Sequence, residues 1–227
     1  MKGMIYRDLL SLRAFIILSV PQLFATYFFM FYIAFNETMA SQSPISESEK
    51  FTVAIIMGII SFLSIVCFPP LAVNSIHEDK HTGWSKFCRC IPHKKGDYTK
   101  AKIISTLIIE GVFVTQTLIV NLVGAIVFGS SIELALAIPF AFSCFTATFL
   151  LPTIPLTVKW GKAAEYIYML LVFVFAISLG LIVNGAMQSN GVEIFLRLTA
   201  YLILPSFAVV SAFLSYKLGK KMENDDL

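Results

Sequence analysis

The sequence predicts an all-α polytopic membrane protein. It is expected to have six transmembrane helices, an N-terminal interfacial elbow helix and a short amphipathic cytoplasmic helix between spans two and three. Composition is the first support. Charged residues make up 14% of the 227 positions and hydrophobic ones 57%, with a mean hydropathy of +0.81, whereas a soluble domain carries about 25% charged residues. The second is the presence of six apolar stretches, at 14–35, 51–74, 103–128, 134–157, 163–183 and 194–216. Each matches the ~20 residues a helix needs to cross a bilayer. Lipid offers no partner to backbone polar groups, and the runs lack the alternation of a barrel strand, so helices are the expected solution. The third is charge: of the 17 Lys and Arg, all but Lys50 and Arg197 fall on one side of the six stretches. The positive-inside rule places that side, with both termini, in the cytoplasm. The whole of 1–227 reads as one transmembrane domain, and the long first stretch, with no small-residue cleavage site, gives no sign of a cleaved signal.

Residues 1–13 can form the elbow. At 100° per residue Ile5, Tyr6, Leu9, Leu10 and Leu12 share an arc, with Arg7, Asp8 and Ser11 opposite; this is the pattern of a helix lying in the bilayer interface. The alternative is a simple positive flank that orients the first span.

The segment 77–102 is a polar island holding 7 of the 17 cations. Thr82-Gly83-Trp84 fits a helix start and Pro92 a stop. Trp84, Phe87, Cys88 and Ile91 fall at i, i+3, i+4 and i+7, one helical face, with Lys86 and Arg89 pointing away. Trp84 can equally be an interface anchor. Asp97 is placed to cap the helix that enters the third span.

Pro21, Pro69, Pro70, Pro139, Pro152, Pro155 and Pro205 lie in the apolar stretches or at their ends. Such prolines are tolerated where neighbours satisfy the freed carbonyls; they read as packing kinks or as hinges. The third span carries a polar stripe of Thr106, Glu110, Thr117 and Asn121, with Gly124, within a narrow arc. Glu110 stands roughly 12 Å along the helix from Lys102 at 1.5 Å per residue. An ionisable group at that depth is a candidate functional residue, and the stripe either lines a translocation path or joins helices. Glu165 near Lys162 reads as an interfacial pair, and Glu193 precedes Arg197 by one helical turn. Cys88, Cys90 and His93 are too tightly spaced for structural zinc, so no metal is expected.

The run His77-Glu78-Asp79-Lys80-His81-Thr82-Gly83-Trp84-Ser85-Lys86-Phe87, continuing to Ile91-Pro92-His93-Lys94-Lys95 and Asp97-Tyr98 with Lys102, resembles the second cytoplasmic segment of bacterial ABC-2-type transporter permeases. In size and layout the chain is similar to the permeases that export phenol-soluble modulins. It departs from the family pattern at His93, where a hydroxyl residue is usual, and at Cys88-Arg89-Cys90. The resemblance implies a multi-pass subunit of the bacterial plasma membrane that exports an amphipathic peptide or another hydrophobic substrate. Its implied partners are two copies of an ABC ATPase subunit, a second permease copy or paralogue, and membrane lipid. Trp84, Lys86, Phe87, Ile91 and Pro92 would dock the ATPase. The chain has no GxxxxGK[ST] loop, so ATP and Mg would sit on the partner ATPase and no cofactor on this chain. No nucleic-acid partner is expected.

Two other classes stay open. A six-span vitamin-capture component would need a shaped outer loop, but here the elaborate loop is inside. An intramembrane enzyme would need ligating or catalytic side chains at depth, yet His77, His81 and His93 all lie in the island, and no G-x-S-x-G occurs.

Overall fold

A computed structural model describes residues 2–13, 61–67, 73–84, 96–129, 132–186 and 199–225, with isolated positions 17, 21, 25, 28, 29, 32, 58 and 59. The described residues are helical, joined by short turns. The helices are α1 (Lys2–Ser11), α2 (Asn74–His81), α3 (Asp97–Phe128), α4 (Ile132–Trp160), α5 (Lys162–Ala186) and α6 (Leu204–Asp225). Two five-residue π-helical turns, Leu63–Cys67 and Thr199–Ile203, interrupt the regular pattern. Three helices are long and apolar enough to cross a membrane, over Asp97–Val127, Ala135–Trp160 and Tyr201–Met222. They match the third, fourth and sixth predicted spans, and α5 covers the fifth. The first predicted span, most of the second, the island beyond Trp84 to residue 95 and the Glu193–Arg197 pair lie outside the described residues.

Glycines set the helix limits. Gly96 (φ +90°) precedes α3, Gly129 (φ +64°) closes it with its N–H on the Ala125 carbonyl, and Gly161 (φ +66°) separates α4 from α5. Only glycine adopts this left-handed backbone without strain. The expected cap is corrected here: Gly96, not Asp97, is the N-cap. Asp97 sits in the first turn, where its charge complements the helix dipole.

α4 is the central helix. It packs against α3, α5, α6 and both π-helical turns. Val66, Ile76, Phe145, Leu150, Ile154 and Tyr168 form the middle of the core. Near its C-terminus α6 crosses the start of α3 so closely that a Cβ on Gly219 would collide with the Thr99 side chain.

The prolines explain how this packing is pinned. A proline has no N–H, so the carbonyl four residues before it loses its helical donor. In an α-helical register Pro139 frees the carbonyl of Ala135, and Pro152 frees that of Thr148. Each of these two carbonyls accepts a hydrogen bond from a side chain of another helix. Asn121 Nδ2 donates to Ala135 at 3.4 Å and Ser211 Oγ to Thr148 at 2.6 Å. Two carbonyls of the first π-helical turn accept in the same way, Ile65 from Thr146 Oγ1 at 3.1 Å and Val66 from Tyr168 OH at 3.2 Å. Pro139 and Pro152 thus create acceptors where neighbouring helices supply donors, and each exchange joins two helices.

Candidate functional site

The polar chemistry gathers at the end of the bundle where α2 and the first turns of α3 lie. Lys102, one turn and a half into α3, is buried at 3% exposure, as are Asp8 (2%) and Asp79 (1%). The Lys102 ammonium lies 2.7 Å from Asp8 Oδ1 and 2.7 Å from Asp79 Oδ2, and donates to Ser75 Oγ at 3.1 Å. Tyr98 OH donates to Asp79 Oδ2 at 3.0 Å, and Arg7 pairs with Asp79 Oδ1. Ser105 Oγ donates to Asp8 Oδ2 at 3.4 Å. Two cations and two carboxylates from α1, α2 and α3 therefore close on one another. Burial raises the Asp8 carboxyl above its ordinary value, against the opposing pull of the Lys102 ammonium.

This arrangement corrects the expectation for the elbow. The arc bearing Asp8 was expected to face solvent, but it faces the protein, because Lys102 supplies a buried countercharge. Part of the apolar arc is outward instead: Tyr6 is 69% exposed and Leu10 47%. Leu9 and Leu12 pack on Ile109 and Phe113 of α3.

α2 is tied to the far side of the bundle as well. His77 Nε2 donates to Glu165 Oε1 on α5 at 2.6 Å. Lys80 Nζ donates to the carbonyls of Thr157 and Val158 at 3.2 and 2.8 Å, satisfying the end of α4 as a cation at a helix C-terminus does. Glu165 was expected to pair with Lys162; its partner is His77, 88 residues away. One eight-residue helix is thus bonded to α1, α3, α4 and α5. Thr82 closes it and Gly83 (φ +73°) turns the chain. Trp84 follows, half-buried, with the Arg7 guanidinium 4.5 Å from its ring centroid. Among the expected docking residues, Trp84 is therefore packed against the elbow on one ring face, while Lys86, Phe87, Ile91 and Pro92 lie outside the described residues, as do Cys88, Cys90 and His93.

The stripe on α3 is brought together as expected and faces inward. Thr106, Glu110, Thr117 and Asn121 are all buried. Thr106 and Thr117 direct their hydroxyls to carbonyls of their own helix, Lys102 and Phe113. The other two reach across. Asn121 Nδ2 donates to Ser61 Oγ at 2.9 Å as well as to Ala135. Glu110 Oε1 accepts from Ser143 Oγ of α4 at 3.4 Å, and its Oε2 is buried with no hydrogen-bond partner among the described residues.

Asp8, Asp79, Ser75 and Lys102 were not expected to act together. The available signals were the lone anion among the basic N-terminal residues and a lysine at the exact start of an apolar stretch. Neither reveals a partner more than 90 residues away.

The described helices, three of them long and apolar enough to cross a membrane, are joined at one end through the short helix α2. The family model for the ABC-2 family transporter protein matches residues 3–220, and the chain belongs to that family. It is accordingly a permease component of an ABC transporter, a membrane subunit that works with an ABC ATPase subunit. No curated protein and no solved structure matches the chain.

Proposed function

We propose that the chain is the transmembrane half of an ATP-driven exporter in which six spans, with both termini cytoplasmic, form one domain. Two permease copies, or this chain and a paralogue, assemble with two ATPase subunits that hold ATP and Mg. The segment Trp84–Ile91, ended by Pro92, is the coupling helix; Trp84, Phe87 and Ile91 form its apolar face, and the ATPase docks through these with Lys86 and Pro92. Residues 2–13 are the elbow, with Tyr6 and Leu10 in the bilayer interface. The cargo is an amphipathic peptide or a similar hydrophobic molecule, like that of the modulin exporters, which suits a chain with 21 Phe.

The observation that supports this reading best is the bonding of α2. A push on the segment after Gly83 reaches a helix that holds α1 and α3 through Asp79 and Ser75, α5 through His77 and α4 through Lys80. Packed elements joined in this way move as bodies, as alternating access requires. The burial of Thr106, Glu110, Thr117 and Asn121 favours helix joining over path lining in the packing observed.

Co-purification with the cognate ABC ATPase subunit tests the docking. Trp84→Ala with Phe87→Ala should abolish capture and substrate-stimulated ATP hydrolysis while leaving the permease folded. Unchanged capture and hydrolysis would remove the coupling-helix assignment.

A further inference from the structure

Among the described residues Glu110 is a carboxyl without a countercharge. It is 3% exposed, one oxygen accepts a long hydrogen bond from Ser143, and the other has no hydrogen-bond partner among them. The sequence supplies no cation at this depth. The six apolar stretches contain no Lys or His and a single Arg, Arg197, which begins the sixth stretch at the opposite, outer end. Lys102, eight residues earlier on α3, is taken by Asp8 and Asp79. On the facing helix α4 the titratable neighbour among the described residues is Cys144. A carboxylate buried with one weak donor and no cation neutralises itself.

We propose that Glu110 is a proton-binding site inside the bundle, its carboxyl held neutral while α3 and α4 are packed together. The carboxylate takes a proton from water when the packing closes. An O–H bond forms on Oε1, and that hydroxyl then donates to Ser143 Oγ, reversing the direction of the bond. Oε2 becomes the carbonyl oxygen of a neutral acid, for which the lack of a partner costs far less than for an anion. Opening the helices to water would release the proton. The site does not depend on the identity of the cargo.

Infrared spectroscopy of the full-length chain in lipid nanodiscs at pH 7 reads the protonation state directly. With ¹³C-carboxyl glutamate incorporated, the wild type should show a protonated-acid carbonyl band that shifts with the label. Glu110→Gln should lack this band. Ser143→Ala should keep it but move it to higher frequency, because a hydrogen bond is lost. Labelled wild type needs no substitution, so misfolding of a variant does not blur the result. A wild-type spectrum with only ionised glutamate bands would overturn the proposal, as would a protonated band that survives in Glu110→Gln.

Discussion

Tyr168 of α5 donates its hydroxyl to the Val66 carbonyl at 3.2 Å, inside the π-helical turn Leu63–Cys67. The phenol is among the largest fully buried side chains, so its hydroxyl has no water to fall back on. The bond fixes α5 against this turn at a defined height.

Removing this donor should cost stability. Tyr168→Phe is expected to destabilise by about 1–2 kcal/mol, near the upper range for interhelical bonds in membranes. Ser211→Ala should cost a similar amount at the Thr148 carbonyl, but only while Pro152 is present. In Pro152→Ala the N–H returns and the Ser211→Ala penalty should fall toward zero. Double-mutant cycles from thermal unfolding in detergent measure the coupling. Additive losses would show that the Ser211 hydroxyl does not replace the proline's missing donor.

Lys102 holds two buried carboxylates, so its loss should be the most damaging single change described. Lys102→Met leaves Asp8 and Asp79 facing each other, with an expected cost of about 3–5 kcal/mol. Lys102→Met combined with Asp8→Asn should recover part of it. Limited proteolysis of residues 2–13 should report release of the elbow in the single variant and its partial return in the double.

The sign of the Asp8 effect follows from its raised folded-state value. A group raised above its unfolded value, ordinarily 3.8 for this carboxyl, favours the folded chain fully below that value. The contribution is lost as pH rises through the folded value. Asp8→Asn has nothing to lose in this window. Its stability relative to wild type should improve from about pH 4 toward neutrality, where ordinary carboxylates have finished titrating. Melting temperatures of both proteins across that range decide it, and a trend in the other direction refutes the assignment.

Gly219 marks the closest approach of α6 to α3. Gly219→Val should force these helix ends apart at a cost of about 1–3 kcal/mol. Thr99→Ala, which clears the space, should restore part of the loss. Thermal unfolding of the two single variants and the pair measures the recovery.

The helices themselves were legible because apolar length decides them. Runs such as 134–157 have one solution in lipid, and α4 follows with three extra residues at its C-terminal end. The stripe on α3 was legible for the same geometric reason: fixed periodicity puts Glu110 and Asn121 on one face. Partners were not legible. Local spacing suggested Lys162 for Glu165, yet His77 lies nearer in space. An amphipathic arc revealed that Asp8 sits apart from the leucines of α1, but not that a buried lysine would make the polar side the inner one. The prolines disclosed which carbonyls lose a donor, while Asn121 and Ser211 gave no sign in sequence of being the replacements.

The ionic contacts around Lys102 also constrain how the chain is made. Asp8 and Asp79 leave the ribosome before Lys102 does, and neither has its shared partner until residue 102 has been synthesised. The elbow must therefore wait, as an undocked helix bearing an uncompensated carboxylate, while the first two apolar stretches enter the membrane. Its docking on α3 is a late event in assembly, although it is the first part of the protein to be translated.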